Sequence, residues 1–141
     1  MKSAEDSVRH LVRQWLRHAE EDLLVARELM ERERLSYDPV GFHAQQAAEK
    51  FLKALLTRYG VAFPKTHSIF ILLQLAGPVF PDLLDRLHTA HTLTPYGVEI
   101  RYPTEVPRLT RAGGEEAVRL AAVVRDEVMR RLDDYLKGET P

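Results

Sequence analysis

The amino-acid sequence predicts an all-α protein, an up-and-down bundle of three long helices and two short ones. Three features lead to that reading. Apolar residues recur at steps of three and four along most of the chain, the period of one helix face. Alternating runs are nearly absent: Val98-Glu99-Ile100 is β-like, and it suits an extended loop better than a strand. The breaks between periodic stretches are short except for one, and short connections favour antiparallel neighbours.

The first helix is expected from Ser7 to Met30. Val8, Leu11, Val12, Trp15, Leu16, Ala19, Leu23, Ala26 and Met30 form its stripe, and Arg13, Arg17, Glu20, Glu21 and Arg27 fill much of the rest. Pro39 restricts Asp38 and suits the first turn of a second helix, running to Tyr59. Its apolar face is Ala44, Ala48, Phe51, Leu52, Leu55 and Tyr59, with Gln46, Lys50 and Lys53 on the opposite side. Gly60 closes it as a C-terminal glycine. Thr66 or Ser68 can cap a third helix, Ile69 to Ala76, which Gly77-Pro78 stops.

A fourth helix is expected from Pro81 to Leu93, burying Leu83, Leu84, Leu87 and Ala90. Residues Thr94 to Gly114 hold Pro95, Gly97, Pro103, Pro107, Gly113 and Gly114 and keep no period, so they read as one long irregular segment. The last helix runs from Glu115 to Leu136 with Ala117, Leu120, Ala121, Val124, Val128, Leu132 and Tyr135 inward. Trp15, Phe51, Phe63 and Phe70 are read as core or dimer contacts.

The 141 residues fit a single domain, 1–141, with its core in about 7–136 and a frayed tail at 137–141. Hydrophobic residues make up 45% and charged residues 29%, the mix of a folded globular chain. Twenty Lys+Arg face 21 Asp+Glu, which excludes attachment to nucleic acid or membrane by bulk charge. The basic set is uneven, with 15 Arg and 5 Lys. The absence of cysteine removes disulfides, thiolate zinc sites and cysteine nucleophiles. Residues 1–30 are charged throughout, and Ile69 to Leu73 falls far short of the ~20 apolar residues of a membrane helix. A cytoplasmic protein with no membrane contact is therefore expected.

Phosphate loops, dinucleotide fingerprints, nucleophile elbows and zinc-protease helices are all missing. Asp85, His88 and His91 are spaced so that the third swings about 120° from the first on a helix. No metal and no cofactor are expected. The most informative stretch is Gln45-Gln46-Ala47-Ala48-Glu49-Lys50-Phe51-Leu52-Lys53-Ala54-Leu55, a strong helix former. Its small residues let another helix approach closely. Its Gln and Lys side chains are expected to point outward, either as donors for a carboxylate, phosphate or partner, or as a solvated back face.

This stretch, in its surroundings, resembles the signature of the HEPN family, the higher eukaryotes and prokaryotes nucleotide-binding domains. Ala19-Glu20-Glu21-Asp22-Leu23 precedes it; Phe42-His43-Ala44 leads into it; Thr66-His67-Ser68 and Arg101-Tyr102-Pro103 follow in order. The resemblance covers roughly residues 12–136. It implies a small HEPN-like helical bundle, commonly a homodimer, paired with a minimal nucleotidyltransferase in a two-gene, toxin–antitoxin-like module. It also implies a polar site for nucleotide or RNA drawing on Arg101, Tyr102, His67, Gln46 and Lys50.

Many members of the wider superfamily are metal-independent ribonucleases with an Arg-x4-6-His motif ahead of the last major helix. Arg101 stands where that arginine belongs, but Val106, Pro107 and Arg108 stand at the histidine positions, and no histidine follows His91. Arg13 with His18 and Arg86 with His91 match the spacing elsewhere, about as often as chance predicts for this many arginines. Binding is therefore the leading expectation. A ribonuclease using Arg101 with a displaced histidine such as His91, or Arg86 with His91, is the alternative, and a structural dimer is another. Arg101 could equally tie its loop to a helix carboxylate such as Glu49. His67 could cap a helix, pack against Tyr102 or join a polar site.

Overall fold

The computed structural model describes residues 3–97 and 108–138. Its elements are α1 (Ala4–Leu29), α2 (Asp38–Arg58), α3 (Ile69–Ala76), α4 (Leu83–Leu87), a 3-10 segment (His88–Gly97) and α5 (Arg111–Lys137). No strand occurs among the described residues, and the all-α helical bundle expected from the sequence is the fold. Arg101, Tyr102 and the β-like run at 98–100 lie outside the described residues, as do 139–141 of the tail.

α1 starts earlier than Ser7 because Ser3 and Asp6 form a capping box: Asp6 N–H donates to Ser3 Oγ at 3.0 Å, and Ser3 N–H donates back to Asp6 at 3.4 Å. Its buried stripe is Val12, Leu16, Ala19, Leu23 and Ala26. Val8 and Leu11 are exposed instead, and Arg9 takes the inward place with its guanidinium over the Tyr135 ring at 4.8 Å. The stem of an arginine covers apolar surface that a sequence pattern assigns to aliphatic residues.

α2 is the central element and packs against α1, α3, α5 and the 3-10 segment. Ala44, Ala47, Ala48 and Ala54 have no exposed surface, which lets neighbouring backbones come close. Because it is wrapped on most sides, its polar residues do not form the solvated back face that was one reading of the sequence: Gln45, Glu49 and Lys53 are buried. Tyr59, expected inside, is exposed. Gly60 ends the helix at φ +66°. Val61 N–H donates to Leu56 O and Gly60 N–H to Thr57 O, the paired bonds of a Schellman motif.

α3 has the expected bounds, and Ser68 caps it by accepting from Ile71 N–H at 3.2 Å. The expected fourth helix is instead short, and the chain tightens at His88. The buried residues Leu87, Ala90 and Leu93 recur at steps of three, which suits the 3-10 helix formed there. Leu84 is only half-buried.

α5 begins at Arg111, four residues before the expected start. Thr110 accepts from Gly113 N–H at 3.1 Å as N-cap, so both glycines are helical. Gly114 is placed by a close approach: a Cβ there would stand 2.9 Å from Met30 Sδ and 3.2 Å from Tyr37 Cβ. This contact belongs to a second small core of Ala26, Tyr37 and Val40, beside the main core of α1, α2, α3 and α5. Trp15 and Phe63 pack on the main core edge to face, 6.3 Å apart, Phe51 is fully buried, and Phe70 is exposed.

Candidate functional site

The polar residues of α2 fall on two adjacent stripes. Gln45, Glu49 and Lys53 follow one another at four-residue steps; His43, Gln46 and Lys50 occupy the next stripe at steps of three and four. The first stripe gathers on the buried Glu49 carboxylate, and two residues of the second, His43 and Lys50, on the half-buried carboxylate of Asp22.

On the first, Glu49 is 5% exposed in its side chain. Lys53 Nζ donates to Oε2 at 2.8 Å, while His67 Nδ1 lies 2.8 Å and Gln45 Nε2 3.2 Å from Oε1. Burial pushes the Glu49 carboxyl up, but the hydrogen bonds from Lys53, His67 and Gln45 together outweigh it and hold the group below its ordinary range. Lys53 is 9% exposed, and its ammonium faces both the Trp15 and Phe63 rings, at 5.6 and 5.7 Å from their centroids. Gln45 has no exposed surface; its amide also donates to the His67 backbone carbonyl at 2.9 Å. That bond fixes the turn before α3, so His67 does not cap the helix. Its ring instead faces Glu49 and remains 69% exposed.

On the second stripe the carboxylate is Asp22 of α1, 14% exposed. Lys50 Nζ donates to it at 2.5 Å and His43 Nδ1 lies 3.0 Å away. Gln46, on the same stripe, donates to Gln45 Oε1 at 2.7 Å and so attaches to the first group.

The ends of the described structure on either side of residue 101 both rest on α2. Gly97 packs so closely on Gln45 that a Cβ would stand 2.9 Å from the Gln45 amide. Leu109 N–H donates to Asp38 Oδ1 at 2.8 Å, and Tyr37 N–H donates to Leu109 O at 2.9 Å. A Cβ on Gly41 would touch both Leu109 and Tyr96, each at 3.0 Å.

Of the residues singled out from sequence, Gln46 and His67 are brought together through Gln45, and Lys50 pairs with Asp22 instead. Lys50 does not point outward as expected; it closes on α1. Glu49 has both oxygens engaged by Lys53, His67 and Gln45, while the tie that the sequence offered to Arg101 lies outside the described residues. His91 is exposed on the 3-10 segment. Arg86, its spacing partner, is bonded through Nε and Nη2 to Glu127 of α5, at 3.0 and 2.7 Å. His88 Nδ1 faces the Asp85 carbonyl at 2.9 Å, and no metal-holding group of three or more His, Asp or Glu occurs among the described residues. No described helix is long and apolar enough to cross a membrane.

Sequence reasoning missed Gln45, Lys53, Asp22 and His43 as members of the site. The run Gln45, Glu49, Lys53 carried a signal, since Glu followed by Lys four residues later is the favoured ion-pair order on a helix. Asp22 carried none, because its pairing depends on how α1 docks.

No curated protein and no solved structure matches the chain. The family model of the HEPN domain matches residues 12–132, which contain both stripes, His67 and most of α5. The chain belongs to the HEPN domain family.

Proposed function

We propose that this HEPN-domain chain is a cytoplasmic nucleotide- or RNA-binding component of a two-part module. Its partner in that module is a minimal nucleotidyltransferase, the pair acts in a toxin–antitoxin-like way, and the chain itself is a homodimer. One observation supports the reading most: Gln45, Gln46 and Glu49 of α2 form a connected polar network with His67, and Gly97 and Leu109, which flank Arg101 and Tyr102 in the sequence, both contact α2. In this reading Arg101 presents a guanidinium fork to a phosphate, Tyr102 offers a ring and a hydroxyl, and the network orients His67 and Gln46 toward the ligand.

The ribonuclease alternative gains nothing from the geometry around His91. Arg86 already serves Glu127, and His91 has no acid–base partner among the described contacts. The reading is tested by co-expression with a minimal nucleotidyltransferase and by binding of labelled RNA in EDTA. Co-purification, with RNA bound but uncut and binding weakened by Arg101→Ala, is the expected result. Cleavage abolished by His91→Ala would replace binding with catalysis, and failure to co-purify would remove the module.

A further inference from the structure

A cavity of about 260 Å³ opens at the C-terminal end of α1, lined by Val25, Glu28, Leu29, Arg32 and Arg34. None of these residues belongs to the α2 network. Val25 and Leu29 are half-buried and supply an aliphatic wall, and the other three are charged.

Those charges are not used within the chain. In a continuing helix Glu28 and Arg32 would pair across one turn. α1 ends at Leu29, so Arg32 lies beyond the helix. Among the described residues no ion pair or side-chain hydrogen bond engages Glu28, Arg32 or Arg34. Arg34 Nε is even shielded from solvent without an acceptor. Its backbone is fixed all the same: Arg34 N–H donates to the hydroxyl of Tyr37 at 3.2 Å, and Tyr37 is 4% exposed. A guanidinium held in place without an acceptor calls for one from outside the chain.

The lining sets three requirements on a ligand. Two guanidinium groups suit a carboxylate. Glu28 suits an ammonium, and so does the C-terminus of α1, the negative end of its dipole. The aliphatic wall suits an apolar side chain. A phosphate dianion meets only the first requirement and is repelled by Glu28. The volume falls just below the range of about 300–1,000 Å³ for drug-sized pockets, so the ligand is small.

We propose that this cavity binds a free amino acid with an aliphatic side chain. Its carboxylate lies on Arg32 and Arg34, its ammonium on Glu28, and its side chain on Val25 and Leu29.

Calorimetry at neutral pH tests this with the full chain. The probes are L-leucine, leucinamide (no carboxylate), isocaproate (no ammonium) and inorganic phosphate. Leucine is expected to bind saturably, and each of the others about tenfold more weakly or worse, the loss of one charge-assisted contact. Arg34→Gln is expected to shrink the difference between leucine and leucinamide, and Glu28→Gln that between leucine and isocaproate. Both changes are expected to leave the thermal unfolding midpoint in place. Arg32→Gln reads the carboxylate position a second time. No saturable heat from millimolar leucine overturns the inference, as does phosphate that binds as tightly as leucine. A leucine affinity that all three substitutions leave unchanged overturns it too. Each of these results leaves the nucleotide- or RNA-binding reading standing.

Discussion

Glu49 and Lys53 stand one turn apart on α2 and form an ion pair of 2.8 Å in which neither side chain is more than 9% exposed. A pair this deeply buried is weak evidence for stability, because desolvating two charges opposes their attraction. Its effect is to fix geometry. Glu49 is the common acceptor for Lys53, His67 and Gln45, so one carboxylate sets the positions of α2's polar stripe and of the turn before α3.

Removing Lys53 leaves the buried Glu49 carboxylate without its cationic partner on Oε2, held only by His67 and Gln45 on Oε1. Lys53→Ala is expected to destabilise the fold by about 3–5 kcal/mol in urea unfolding. Replacing both, as Glu49→Leu with Lys53→Met, is expected to restore much of that loss while releasing His67. A single replacement with no effect on the unfolding midpoint would show that water reaches the pair.

Acid stability depends on a second carboxylate. Glu127 of α5 is 13% exposed and receives Arg86 at 2.7 Å, Arg130 at 2.6 Å and Arg131 at 3.1 Å. Burial pushes it up, but the hydrogen bonds and charges of Arg86 and Arg130 carry it down from 4.5 to about 2. A carboxyl whose native pKa is depressed stabilises the fold while it is ionised. Its contribution is complete above about 4.5 and is lost as pH falls toward 2. Glu127→Gln is expected to lower the urea midpoint near neutral pH and to flatten its fall across that acid window. A window of unchanged steepness would place the acid sensitivity elsewhere.

Gly60 separates backbone strain from packing. Its φ is +66° and nothing lies within 4 Å of a Cβ built there, so Gly60→Ala adds no clash. The substitution is expected to destabilise by about 1–2 kcal/mol through left-handed backbone strain alone, with Gly60→Asn milder. Thermal unfolding of the two variants checks the order.

The long helices were legible because their periods and caps are local. Ser68 before Ile69 and Gly60 after Arg58 each marked a boundary that the structure keeps. Boundaries failed where tertiary contact decides. Gly113 and Gly114 read as loop residues, yet Gly114 lies in the first turn of α5 because Met30 and Tyr37 leave no room for a side chain. His88 to Leu93 read as α-helix, since a three-residue recurrence of apolar positions fits either helix type over so short a span. The site was half legible. The HEPN resemblance pointed to Gln46, Lys50 and His67 as candidates, but a residue's neighbours on a helix do not reveal that Lys50 closes on Asp22, 28 positions away, or that Gln45 bonds the His67 carbonyl.

The α1–α2 junction offers a complementary test. Asp22 accepts from Lys50 at 2.5 Å beside His43, and it is only 14% exposed. Asp22→Ala leaves two donors without their acceptor and is expected to destabilise by about 1–3 kcal/mol. Hydrogen exchange is expected to rise in the middle of α1 and α2 together. A rise confined to α1 would mean that Lys50 finds another acceptor.

The central claim is that the α2 network with His67 is where ligand binds. Nuclear magnetic resonance of the full chain titrated with a short oligoadenylate RNA tests it most directly. The expected result is saturable shifts of the Gln45 and Gln46 side-chain amides and of the His67 ring, with Arg86 and His91 unmoved. Shifts confined to Arg86 and His91, or none at RNA concentrations in large excess, would contradict it.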